Sequence, residues 1–143
     1  MIHFKIGDIF QQKTEAYINP VNCVGVMGAG LALQFKKRFP DNFKEYEKIC
    51  KNKELIIGKM FVYNTDIYNP KYIINFPTKN HWKDKSKLEY IDIGLISLKS
   101  AIEQYNISSI SIPKLGCGLG GLKWIDVKNK IIFHLSEIDC EIF

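Results

Sequence analysis

The sequence predicts an α/β domain in which a mixed sheet carries helices on both faces. Short β-branched or aromatic segments alternate with longer segments of helical apolar spacing along the whole chain. Two glycine-rich loops, "NCVGVMGAG" (22–30) and "GCGLGG" (116–121), each follow a strand-like segment and precede a helix-like one. With 143 residues, 46% hydrophobic and 24% charged, the chain suits a single globular domain over 1–143.

The elements follow in order. "IHFKI" (2–6) and "AYINPV" (16–21) read as strands, closed by Gly7 and by the first glycine loop. "LALQFKKRF" (31–39) has helical spacing and stops at Pro40, and Asp41 opens a second helix to about Lys51. "KMFVYNT" and "KYIINFPT" flank the turn sequence "DIYNP" and predict a hairpin. Ser86 and Glu89 have capping-box spacing ahead of an apolar stripe formed by Leu88, Ile91, Leu95, Leu98 and Ile102. "SISIP" is a strand. Trp124, Val127, Ile131, Leu135 and Ile138 share one face of a last helix, and "CEIF" is a closing strand. No repeat, linker or low-complexity segment interrupts this order.

Bulk composition narrows the function classes. No stretch approaches the roughly 18 apolar residues of a membrane span, and "MIHFKIGD" lacks the apolar run of an export signal. Cys23, Cys50, Cys117 and Cys140 form no C-x-x-C pair and no zinc-like spacing, so free thiols and a cytoplasmic location are expected, with no membrane partner. The net charge of +5 favours an anionic partner. Nineteen of the twenty basic residues are lysines, Arg38 being the exception, a bias that an A- and T-rich genome also produces.

The glycine loops carry the chemistry. Glycine admits positive φ and close approach of a ligand to peptide N–H groups, and a helix N-terminus adds unpaired donors and a favourable dipole. Two such loops at strand ends can clasp a diphosphate from both sides. Gly116, Gly118 and Gly121 match G-x-G-x-x-G, but only 22 residues follow, too few for the strand–helix–strand unit of a dinucleotide fold. Gly25 and Gly30 have P-loop spacing, yet Leu31 and Ala32 stand where Lys and Ser or Thr belong. The bland alternative is a pair of tight turns.

On "GDIF", "INPVN", both glycine loops, "FPTKNHW" and "IPKLGCGLGGLKW", the sequence resembles the macrodomain family, nearly end to end. The resemblance implies a three-layer α/β/α macrodomain with a mixed central sheet that binds ADP-ribose. The longer match, "NCVGVMGAGLALQFKKRFP", points to the branch that hydrolyses ADP-ribose attachments on DNA bases or protein esters. It implies that Asp8 accepts a hydrogen bond from the adenine amino group beside the Ile9 amide. The first loop (Cys23, Val24, Gly25, Met27, Gly28, Gly30) and the second (Gly116, Cys117, Gly118, Leu119, Gly120, Gly121) are to hold the diphosphate and distal ribose. Asn22 is to contact a distal ribose hydroxyl, with Asn19 bracing the loop or touching substrate. Lys79 matches the lysine on which activity depends, with Thr78, His81 and Trp82 as neighbouring substrate contacts. No metal and no cofactor are implied.

Taken by type alone, several of these residues have plainer readings. Asp8 suits a turn after Gly7, and the two asparagines flank Pro20, where Asn caps turns. Trp82 stacks on a base or anchors half-buried. His81 is a substrate contact or a plain surface histidine. Lys79 is set apart from eighteen other lysines by its place after the strand end "NFPT", with Lys83, Lys85 and Lys87 following.

At C1 of the distal ribose, a neutral amine of Lys79 attacks the ring-opened aldehyde, or a charged one stabilises or protonates the departing group. In the protein-directed enzymes of the branch an aspartate follows "GCGL". Here Gly120 takes that position, so the expected substrate is an ADP-ribosylated base, thymidine above all, in single-stranded DNA. The competing readings are a hydrolase of ADP-ribose esters on protein glutamate or aspartate and a non-catalytic ADP-ribose reader. A cognate ADP-ribosyltransferase toxin is the protein partner the resemblance implies.

Overall fold

The computed structural model describes residues 1–143. In chain order its elements are β1 (Ile2–Phe4), β2 (Ala16–Val21), α1 (Gly30–Arg38), α2 (Pro40–Lys51), β3 (Phe61–Asn64), β4 (Tyr72–Pro77), α3 (Leu88–Gln104), β5 (Ser109–Ile112), α4 (Trp124–Leu135) and β6 (Asp139–Ile142). The strands form one sheet in the order β1-β6-β5-β2-β4-β3. Every neighbouring pair is parallel except β3 with β4, the predicted hairpin.

Two-residue alternation along the strands sorts side chains to opposite faces of the sheet. Ala16 and Ile18 of β2, Ile74 and Phe76 of β4, and Ile110 and Ile112 of β5 point one way. There they meet the stripes of α3 (Ile91, Leu95, Leu98, Ile102) and α4 (Val127, Ile131, Leu135). The residues between them point the other way: Tyr17 and Ile73 meet Phe35 of α1, and Val21 meets Tyr46 and Cys50 of α2. Two helix layers thus enclose the sheet, giving the expected three-layer α/β/α arrangement with a mixed central sheet.

An asparagine cluster interrupts the second face. Asn19 and Asn75 are paired in register on β2 and β4 and are fully buried. Asn19 Nδ2 donates to Asn75 Oδ1 at 3.1 Å, and Asn75 Nδ2 donates to Asn42 Oδ1 of α2 at 2.8 Å. These bonds fix α2 to the sheet and satisfy Asn75, whereas Asn19 Oδ1 is buried without a partner.

Gly94 lets α3 approach the opposite face. A Cβ there would lie 2.3 Å from Cζ of Phe76, a fully buried ring. Gly94→Ala is therefore expected to destabilise the fold by about 2 kcal/mol, overpacking outweighing the gain in helix propensity. A thermal melt checks it, and a stability equal to or above wild type would show that Phe76 has room to move.

Several predicted boundaries are corrected. The first strand ends at Phe4, although Lys5 N still donates to Ile142 O at 2.8 Å. Pro40 occupies the first position of α2 rather than only ending α1, because its missing N–H is not needed there. The last helix stops at Leu135, so Ile138 packs against the core from the following turn. The Ser86–Glu89 capping box does not form: Lys87 is the N-cap of α3 and makes no side-chain cap. A 3-10 turn, Ile9–Gln11, was not foreseen. No helix is long and apolar enough to cross a membrane.

Candidate active site at three strand ends

β5, β2 and β4 lie side by side in the sheet, so their carboxyl ends open on one crevice. From β2 the chain turns to α1 on one face, whereas β4 and β5 lead to α3 and α4 on the other. Such a switch point is where open α/β sheets bind ligands. A cavity of about 670 Å³ occupies it, within the range of small-molecule sites, about 300–1,000 Å³.

Asn22 shapes the first loop. Its Oδ1 accepts from Val24 N at 3.0 Å and from the Tyr46 hydroxyl at 2.8 Å, and its Nδ2 donates to Val26 O at 2.8 Å. Burial pushes the Tyr46 hydroxyl far above its ordinary pKa, so it stays a donor. Gly25 (φ +84°) lies against Cys50 and Glu47 of α2, while Gly28, Ala29 and Gly30 line the cavity. α1 has no side-chain cap, and the residues of its first turn, Gly30, Leu31 and Ala32, line the cavity. Unpaired donors and the helix dipole make that wall suited to an anion.

The second loop forms the opposite wall, with Gly116, Gly118, Leu119 and Gly120 on the cavity. Gly116 (φ +72°) turns the chain, and Leu122 N returns to its carbonyl at 2.9 Å. Gly121 N donates to Gly118 O at 3.1 Å.

Between the walls runs the segment after β4. Thr78 N donates to Val21 O at 2.8 Å, and Cys23 N donates to Asn80 O at 3.0 Å, lacing this segment to the first loop. Lys79 lines the cavity, and its Nζ donates to Trp82 O at 3.0 Å. Trp82 is 49% exposed at the mouth, with Lys83 Nζ 5.2 Å from its ring centre.

The structure brings Asn22, Gly28, Gly30, Thr78, Lys79, Trp82, Gly116, Gly118, Leu119 and Gly120 to one cavity. Other expected site residues lie elsewhere. Met27 is buried against Tyr46 and Cys50, so its side chain serves the core. Asn19 is fully buried in the asparagine network and braces rather than contacts. Asn22 does line the cavity, while its side chain bonds to Val24 and Val26 of the loop and to Tyr46 of α2. Asp8 Oδ1 caps the 3-10 turn by accepting from Phe10 N at 2.9 Å; neither Asp8 nor Ile9 lines the cavity. Cys23, Val24, Gly25, Cys117, Gly121 and His81 also stand outside its lining: Gly121 lies against Lys85, and His81 Nδ1 accepts from Lys83 N. Sequence reasoning missed Pro20, Val21, Leu31, Ala32, Pro113 and Lys114, and it included Val26 and Ala29 only as part of the first loop. Pro113 and Lys114 directly follow "SISI", so the strand-end rule alone would have found them.

All four cysteines are unpaired. Burial pushes the Cys23 thiol up to about 11, reinforced by nearby Cys50, and burial pushes Cys140 up to about 12. At pH 8 Cys23 should carry roughly a hundredfold less thiolate than an ordinary cysteine. Iodoacetamide labelling read by mass spectrometry is expected to leave Cys23 unmodified, and rapid alkylation would contradict it.

The layers, the switch-point cavity and the paired glycine walls define a macrodomain. The Macro domain family profile matches residues 18–131, and the chain belongs to that family. It is 52% identical over 147 residues to the DNA ADP-ribosyl glycohydrolase of Mycobacterium tuberculosis, an alignment covering 100% of this chain and 42% of that protein. The solved macrodomain of M. tuberculosis DarG superposes with a TM-score of 0.97 at 51% identity, covering 99% of this chain and 96% of that one. Thermosipho africanus DarTG in complex with ADP-ribose superposes at 0.90 with 36% identity, covering 99% of this chain and 40% of that one. The chain therefore spans less than half the length of the curated relative it matches.

Proposed function

We propose that this domain, acting as one unit over residues 1–143, binds ADP-ribose and removes it from modified bases of single-stranded DNA. The observation that carries the reading is the placement of Lys79 on the wall between two glycine loops. Main-chain donors of both loops and of the first turn of α1 hold the diphosphate, which fixes the distal ribose against Lys79. The likeness to DNA ADP-ribosyl glycohydrolases over the whole chain supports DNA as the carrier, as does Gly120 in place of an acid. The glycosidic bond at C1 of the distal ribose breaks, water supplies the hydroxyl that C1 keeps, and the leaving base atom takes the proton. The partner is the ADP-ribosyltransferase that makes this modification, and four free thiols fit work in the cytoplasm.

The test sets a thymidine-ADP-ribosylated oligonucleotide beside an automodified protein. Release of ADP-ribose from the oligonucleotide is expected, at least roughly tenfold faster per site than from protein. The reverse preference would make it a protein-ester hydrolase, and binding without release a reader.

A further inference from the structure

We infer that Ser86 is a positioning residue: it couples the Lys79 segment to the second glycine loop, so that the amine and the diphosphate grip move as one piece. This rests on the proposed function. Sequence spacing makes Ser86 a helix cap, yet α3 has no side-chain cap, and the Ser86 hydroxyl instead donates to the carbonyl of Thr78, the residue before Lys79. Its backbone N–H meanwhile donates to Gly120 O at 2.9 Å. One residue thus bonds to the second loop and to the segment that carries Lys79, both of which line the cavity. It is 7% exposed and packs tightly on the loop: a Cβ on Gly116 would lie 3.0 Å from Ser86 Oγ. A serine at a helix start normally gains most by capping. Here that hydroxyl is committed to a buried carbonyl, whose loss of a partner is costly.

The first loop is joined to the same segment by backbone bonds alone, Thr78 N to Val21 O and Cys23 N to Asn80 O. The second loop is joined to it through Ser86, by one main-chain and one side-chain bond. The side-chain bond is therefore the tie that a point substitution can cut while leaving every main-chain bond available.

Ser86→Ala tests this, with turnover of the ADP-ribosylated oligonucleotide and calorimetric binding of free ADP-ribose measured on the same protein. The expected result is a kcat lowered roughly tenfold, the scale of one lost hydrogen bond, with KM and ADP-ribose affinity changed much less. In a Lys79→Ala background, Ser86→Ala is expected to lower turnover no further, because a mispositioned amine and a missing one are equivalent. Ser86→Cys, which keeps a weak donor of similar shape, is expected to fall between wild type and alanine, and it replaces alanine if that variant melts below assay temperature. An unchanged kcat overturns the inference. So does a loss shared equally by kcat and binding, or one that persists in the Lys79→Ala background, since either marks general loosening. A wild-type protein without turnover on any ADP-ribosylated DNA refutes the proposed function instead, a result distinct from all of these.

Discussion

Lys79→Ala should lower turnover of ADP-ribosylated DNA by roughly 10² or more while leaving ADP-ribose bound with nearly wild-type affinity. In the proposed binding mode main-chain N–H groups of the two loops and of α1 grip the diphosphate, and none of them depends on this side chain. The amine lies on the cavity wall and is held by one bond, from Nζ to Trp82 O at 3.0 Å. A carbonyl partner takes one of the ammonium donors and leaves the others free for a ligand. The proposed role sets the amine at the reacting carbon, so its loss should appear in kcat rather than in binding. Single-turnover release and calorimetry on one preparation check both halves. Equal loss of affinity and rate would make Lys79 a binding residue, and unchanged turnover would remove it from the chemistry. Lys79→Arg then separates the two roles open to the amine, because it keeps the charge and loses the nucleophile.

The fold was legible because its signals are local. Period-two alternation in "SISIP" and the i, i+3, i+7 stripe of Leu88, Ile91, Leu95 and Leu98 depend only on near neighbours. The cavity was legible through its glycines and the strand-end rule, which together place Gly28, Gly30, Gly116, Gly118 and Lys79. What stayed hidden depends on distant partners. Asn22 is drawn inward by Tyr46, twenty-four residues away on α2, and no spacing in "INPVN" announces that hydroxyl. Asn75 reads as an exception in an apolar strand until Asn19 and Asn42 are seen beside it. Ser86 satisfies the capping pattern in sequence and breaks it in space, because a buried carbonyl and a neighbouring loop compete for the same residue. Local propensity yields to tertiary bonding most readily where an element borders the site.

Gly120→Ala is expected to weaken ADP-ribose binding at least tenfold and to lower the melting temperature. Its φ is not the reason; space is. A Cβ at Gly120 would lie 2.5 Å from Gly116 O and 3.0 Å from Gly116 C and Cα, all main-chain atoms of the same loop. Flexible side chains can yield to such a contact, but a backbone turn fixed by Leu122 N on Gly116 O cannot do so without opening. Overpacking of this kind costs about 1–3 kcal/mol, which passes into affinity because the displaced peptides line the cavity. Gly118 is the internal control for stability: a Cβ there meets nothing within 4 Å, so Gly118→Ala should melt like wild type. Gly120→Asp meets the same obstruction, so inserting the acid of the protein-directed enzymes should abolish the loop geometry before it supplies a new group. If Gly120→Asp instead bound ADP-ribose normally and released it from protein esters, the second loop would be far more plastic than its contacts indicate. Substrate choice would then reside in one side chain.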